Sequence, residues 1–307
     1  MNAPRRYFDE LSTSVGTAWN RFWFTPSDGR VLGVMRVLAG AMAFYAIATY
    51  APDLDRWFGV GGMLPLDMIQ GLYENQPSLL EVVPPRHMKA ALAISLVVIG
   101  LFTLGVGGRV TAIAATAATL SFFSRAPLVT SEFEYILAFL LAYLCVGRAG
   151  DEFSVPALLR SRGRGRPGSP GKDSTRPVSA ANTIAARLIQ IHVAIVHLMM
   201  ACGQLAAPES PWWNGEGIYL AAMRPGMALV DFSFLADHPR IVAAWSHAIT
   251  LYLLTFPVLV WIRLARPLVL AAGVLLWVSL ALASGWLMFC LAMLVGLLAF
   301  LTPRKTP

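Results

Sequence analysis

The chain has 307 residues, of which 57% are hydrophobic and only 13% charged, against about 25% charged in an ordinary soluble domain. With a mean hydropathy of +0.62, this excludes a conventional water-soluble domain and makes the bilayer span the unit in which the chain must be read. The net charge of +7 does not point to nucleic acid, because the basic residues collect in short loops between apolar runs.

At the N-terminus, Arg5, Arg6, Asp9 and Glu10 are not followed by a short apolar core with a small-residue cleavage site, so no cleavable signal peptide is visible. Phe8, Leu11, Val15, Trp19, Phe22 and Trp23 recur instead at helical spacing, with Arg6, Asp9, Glu10, Ser12 and Asn20 on much of the remainder. Residues 1–30 are therefore expected to form a cytoplasmic amphipathic helix lying in the membrane interface. Apolar runs follow at 31–50, 88–106, 110–124, 133–147, 181–206, 240–262, 267–283 and 285–302. A span takes about 20 residues, so the third and fourth are short. The last two share one long run, with Ser284-Gly285 as the only plausible turn.

Charge tests the count. With eight alternating spans and a cytoplasmic N-terminus, sixteen Lys and Arg residues fall on the inner side. Six fall outside: Arg56, Arg86, Lys89, Arg125, Arg224 and Arg240. That asymmetry supports both the number of spans and the orientation, with both termini cytoplasmic. The segment at 150–180 contains the Arg-, Gly-, Pro- and Ser-rich run from Arg160 to Lys172 and is expected to be a disordered cytoplasmic linker. Attraction to anionic inner-leaflet lipid accounts for its charge more simply than RNA binding does. Two long outer segments, at 51–87 and 207–239, are rich in Trp, Tyr and Phe and suit interfacial or re-entrant elements, or a lid over a cavity. Cys145, Cys202 and Cys290 all lie inside apolar runs without paired spacing and read as small hydrophobes.

Ionisable groups inside spans are costly and are usually retained toward the bundle interior. Arg36 and Arg187 lie toward the cytoplasmic ends of the first and fifth spans. Each either snorkels to the headgroups or takes part in an interior ion pair or anion site, and no acidic residue stands at matching depth. In the fifth span Gln190, His197 and Gln204 are seven residues apart. They share one face over about 21 Å, while His192 points the other way. Such a stripe serves either interhelical hydrogen bonding or the lining of a substrate cavity. His197 and His247 without a third ligand are a weak metal signal, and no metal site is expected. Glu132 and Glu134 open the fourth span, diverge on a helix and form no catalytic pair, though one could face an outer cavity. Gly105-Val106-Gly107-Gly108 reads as a tight turn between spans, since no strand precedes it. No phosphate loop, Ser-His-Asp arrangement or zinc motif is present.

Several motifs carry a resemblance. They are Arg187-Leu188-Ile189-Gln190, His197 in a slot often held by Tyr, Gln204-Leu205, Trp212-x-x-Gly215, Phe58-Gly59-x-Gly61, and the ending Leu301-Thr302-Pro303. Together, over about residues 20–303, they resemble the horizontally transferred transmembrane domain family, the bacterial relatives of vitamin K-dependent gamma-carboxylase. In the carboxylase branch, membrane helices bind reduced vitamin K and a lysine deprotonates it. Oxygen then adds, and the strong base formed removes a glutamate proton so that carbon dioxide can add. That lysine stands just before the leucine of the fifth-span motif, where this chain has Gln204. A neutral amide does not act as a general base near neutral pH. Where the branch carries a histidine in its final spans, this chain reads Leu276-Trp277-Val278, and it is expected to lack the large lumenal domain. The resemblance thus implies the fold without the carboxylation chemistry.

The expectation is an all-α polytopic bundle of about eight spans in the bacterial inner membrane, with the family domain over 31–303. It would hold a lipid-like, quinone-like or vitamin K-like molecule, or a peptide segment, or assist the maturation of a secreted partner. His197, Gln204, Trp212, Trp213, Asn214 and Glu216 would line the site, with Gln190 and Arg187 along the same span. Two alternatives stand beside it. One is a membrane enzyme acting on a quinone or a peptide glutamate, with His197 or an outer glutamate such as Glu132 as base. The other is a transporter, which would carry internal repeats; none is clear.

Overall fold

The computed structural model describes residues 3–59, 61–72, 78–150, 153–156, 159, 178–224 and 229–301. Most of the stretch read as a linker, 160–177, lies outside them, as does the end of the chain after Leu301. The described residues are helical, with no strand among them beyond an isolated bridge between Ser27 and Ser179. In order the helices are α1 (Ala3–Phe24), α2 (Arg30–Ala48), α3 (Leu54–Phe58), α4 (Leu66–Leu72), α5 (Met88–Thr103), α6 (Gly108–Arg125) and α7 (Glu132–Val146). Then follow α8 (Ala180–Leu205), α9 (Gly217–Ala222), α10 (Pro239–Leu259), α11 (Arg266–Ser284) and α12 (Leu287–Leu297).

Five segments are long and apolar enough to cross a membrane: Arg30–Ala48, Pro85–Thr103, Ala180–Leu205, Pro239–Leu259 and Arg266–Ser284. Their outward faces are greasy. Ile94 and Val97 on α5 and Leu268 and Leu275 on α11 are each more than 60% exposed. A water-soluble monomer rarely leaves a continuous apolar surface of that kind. Helices also form at the two short runs, as α6 and α7, and the final apolar run breaks where expected. Gly285 adopts φ 72°, a left-handed cap that ends α11 and lets α12 begin two residues later.

The chain divides into two compact units. The first comprises Met1–Val129, Ala138–Leu188 and Leu301–Pro307; the second comprises Thr130–Leu137 and Ile189–Phe300. In the first unit α5 packs between α2 and α6. The α2–α5 approach is set by Gly40, where a Cβ would fall 2.3 Å from Thr103 Oγ1 and 3.1 Å from Thr103 Cα. Small residues at helix crossings allow this closeness where lipid offers no hydrophobic drive to association. Arg36 does not snorkel. It is 1% exposed, and its guanidinium donates to the carbonyl oxygens of Ala149 and, at 2.7 Å, Phe153. Arg187 lies 4.3 Å over the Phe22 ring and donates through Nε to the Phe22 carbonyl at 3.2 Å, fastening the end of α1. The apolar face of α1 (Phe8, Leu11, Val15 and Trp19) is exposed, as an interface-lying helix requires.

In the second unit α11 packs on α12 and on α10, and α9 lies against both α10 and α11. Its centre is Trp277 of α11, fully buried and edge-on to Phe289 of α12 at 5.7 Å.

Replacing Gly40 with Val should lower stability in detergent by about 1–3 kcal/mol, the usual cost of overpacking. Gly100→Ala, on α5 with nothing within 4 Å of its new methyl, should be neutral or stabilising. Thermal unfolding of the two variants side by side checks this; equal midpoints would show that the α2–α5 crossing is not tight at Gly40.

Candidate functional site

The second unit contains a cavity of about 230 Å³. Its walls come from α8 (Met200, Gln204), the turn before α9 (Pro211, Trp212) and α9 with the residues after it (Gly217, Leu220, Ala221, Arg224). The remainder comes from α10 (Ile249, Leu253), α11 (Leu276, Trp277, Leu280) and Trp286. The lining is largely apolar and aromatic, with two polar groups at separate points. Gln204 is half-buried, and its Oε1 accepts from Thr250 Oγ1 at 2.9 Å. That bond orients the amide and leaves its NH₂ as the donor end. Arg224 is exposed, with its guanidinium 5.2 Å over the Trp286 ring.

The turn that carries Trp212 is built by local backbone geometry. Glu216 N donates to Pro211 O at 2.7 Å, closing the loop. Gly215 takes φ 79°, and a Cβ there would fall 2.7 Å from Ala243 of α10. Ile218 N, in the first turn of α9, is satisfied by Ser246 Oγ at 3.1 Å. The turn is thereby docked on α10, which holds the Trp212 indole in place against Gly217.

Behind the Trp277 wall lies a buried polar cluster. His197 of α8 is 0% exposed. It stacks on Phe256 at 3.9 Å and meets Trp277 edge-on at 5.5 Å and Tyr252 at 5.8 Å. Its Nδ1 is 2.7 Å from the Val193 carbonyl one turn earlier. A carbonyl only accepts, so Nδ1 carries the proton, and Nε2 of the neutral ring is an acceptor. Neither that Nε2, nor Tyr252 Oη, nor Trp277 Nε1 makes a hydrogen bond among the described residues. An unsatisfied buried polar group costs about 1–3 kcal/mol, and three in one aromatic cluster call for a polar partner such as ordered water or a ligand group. The three atoms comprise one acceptor (His197), one donor (Trp277) and one group able to do either (Tyr252).

Of the residues expected from the sequence, Gln204 and Trp212 come together in the cavity wall. His197 sits behind Trp277 and is not among the lining residues. Gln190 donates Nε2 to Ala299 O at 2.7 Å, the interhelical role left open above. Arg187 belongs to the first unit. Trp213 is exposed, its indole N–H donating to Leu205 O at 3.2 Å. Asn214 and Glu216 are exposed, and Glu132 is exposed at the first position of α7. Glu134 accepts from Ser131 N and Oγ at 2.8 and 2.6 Å, capping that helix. His247 is exposed, with Nε2 near Gly215, an environment unlike that of His197. Among the described residues no three His, Cys, Asp or Glu side chains are grouped to hold a metal. Sequence reasoning missed Trp277, Tyr252, Arg224 and Trp286. A signal existed for the first two: Trp and Tyr favour the membrane interfaces, so their positions inside apolar runs were unusual.

Tyr252→Phe removes an unsatisfied hydroxyl while keeping the ring against His197 and Phe256, so the thermal midpoint of the purified protein should hold or rise, by up to about 1 kcal/mol. A clear fall would mean that the hydroxyl is bonded. Comparison with protein-family models, curated proteins and solved structures finds no match to this chain.

Proposed function

We propose that this is a multi-pass inner-membrane protein of the horizontally transferred transmembrane domain family that binds the ring or head group of a lipid-like or quinone-like molecule between α8, α9, α10 and α11. The observation that carries the reading is the aromatic cavity of about 230 Å³ with Gln204 and Arg224 on its walls. Drug-sized ligands occupy about 300–1,000 Å³, so a ring or head group enters while a chain stays in the lipid. Trp277 lines this cavity and packs on His197, which is not itself among the lining residues.

Eight spans with both termini cytoplasmic is the topology that best separates the basic residues. In it, α6, α7 and α12 cross as well as the five long segments. A secreted peptide or a membrane partner remains the natural beneficiary of such a protein, by analogy with the family it resembles. Carboxylation is not part of the proposal. Gln204 stands where the base lysine would be, and its amide is already held by Thr250. His197, the other candidate base, is closed off by Trp277, Tyr252 and Phe256.

A photoreactive prenylated quinone incorporated into the membrane should label α8 to α11, with competition by unlabelled quinone. Ala221→Trp, which fills the cavity from α9, should weaken labelling at least about tenfold, or 1.4 kcal/mol, without changing the amount or the monodispersity of extracted protein. Undiminished labelling would place the ligand elsewhere. The missing base has its own test: Gln204→Lys puts a titratable amine at that position, and vitamin K epoxidation assayed in membranes should stay absent, because the histidine of the branch's final spans is also replaced; a gain would show that the base alone was lacking.

A further inference from the structure

The polarity of the second unit's cavity changes with depth. Ile249, Leu253 and Leu280 on its walls are buried and wholly apolar. Arg224 lines the same cavity but is exposed, so it stands at the open rim. Among the described residues that line the cavity it alone is charged, and none of them is acidic. The guanidinium lies 5.2 Å over the Trp286 ring. Stacking of this kind uses the face of the guanidinium and leaves its in-plane N–H donors free.

No carboxylate of the unit offsets this charge. The residues of the second unit outside the described ones are 225–228, which read Pro-Gly-Met-Ala and bring no acid. The unit's acidic residues, Glu132, Glu134, Glu209, Glu216, Asp231 and Asp237, are thus all described, and none of them forms an ion pair with Arg224. Topology gives no reason for the charge either. In the eight-span arrangement Arg224 falls on the outer side, where Lys and Arg are disfavoured. Two other cations of that side, Arg56 and Lys89, are paired with Asp53 and Asp55.

We propose that the ligand of this cavity is an acidic amphiphile, its carboxylate or phosphate held at the rim by Arg224 and its apolar body laid against Leu253, Leu276 and Leu280. The inference rests on the reading of the cavity as a site for a lipid-like molecule and narrows that reading to an anion. A guanidinium fork gives two parallel N–H bonds to two oxygens of either acid. The free end of the Gln204 amide is likewise a donor, so both polar wall groups ask for acceptor oxygens. A neutral quinone ring still fits but forgoes the ion pair.

Photoreactive hexadecanoic acid, hexadecyl phosphate and hexadecanol, with the same diazirine in each chain, are incorporated at equal mole fraction into phosphatidylcholine nanodiscs holding the full chain. The pH is mildly alkaline, so that both acids are ionised. Cross-linked peptides from α8 to α11 are quantified. The better acid should label at least about tenfold more than the alcohol, as a charged hydrogen-bonded pair allows. Arg224→Gln, altered at an exposed side chain, should bring the acids down to the alcohol's level, and Arg224→Glu should take them below it. Stronger labelling by one acid assigns the head group as carboxylate or phosphate; equal labelling assigns the charge alone. If the alcohol labels as the acids do, or if Arg224→Gln or Arg224→Glu keeps the acid preference, the proposal falls, and loss of all label in Ala221→Trp would show that the cavity is still a lipid site. If none of the three probes labels these helices but a photoreactive prenylated quinone does, the proposal again falls alone. If the quinone fails as well, the cavity reading falls with it.

Discussion

A polar group within these helices has no bulk water to turn to, and that constraint organises the rest of the structure. Helices satisfy their own backbones, and most side-chain hydroxyls inside them do the same. Ser95, Thr103, Thr116, Thr119 and Ser284 each donate to the carbonyl one turn earlier. This removes them from the list of groups needing a partner helix and leaves the packing between helices to shape, as at Gly40 and Thr103. Among the described residues, the groups that are not satisfied in this local way include Arg36, Arg125, Asn182, Gln190, Gln204 and the His197 cluster.

These groups are treated in different ways. Arg36 and Gln190 reach backbone carbonyls at chain breaks or helix ends, at Ala149, Phe153 and Ala299. Gln204 is shared between a hydroxyl and a cavity. His197, Tyr252 and Trp277 keep one atom each without a bond among the described residues. A buried aromatic cluster gains from stacking, at about 0.5–1.5 kcal/mol per ring pair, and that gain offsets part of the desolvation cost. The cluster adjoins the cavity through Trp277, which packs on His197 and is also among the lining residues.

The amino-acid sequence by itself determined the long apolar helices. Long apolar runs bounded by charged or Gly-Pro segments have one stable form in lipid, so α2, α5, α8, α10 and α11 follow from composition and length alone. The break at Ser284-Gly285 was equally legible, because only glycine takes the left-handed cap without cost. The seven-residue spacing of Gln190, His197 and Gln204 puts three side chains on one face of a regular helix. What those side chains meet was decided by tertiary packing. A helical face is a direction, and the neighbour in that direction changes along its length: the end of the final helical segment at Ala299, an aromatic cluster at Phe256, and a cavity beside Thr250. Likewise, Arg36 looked free to snorkel because its partners are carbonyls more than a hundred residues away, and a carbonyl carries no signature in sequence. Trp277 read as the absence of a histidine, and only the fold places it between His197 and the cavity.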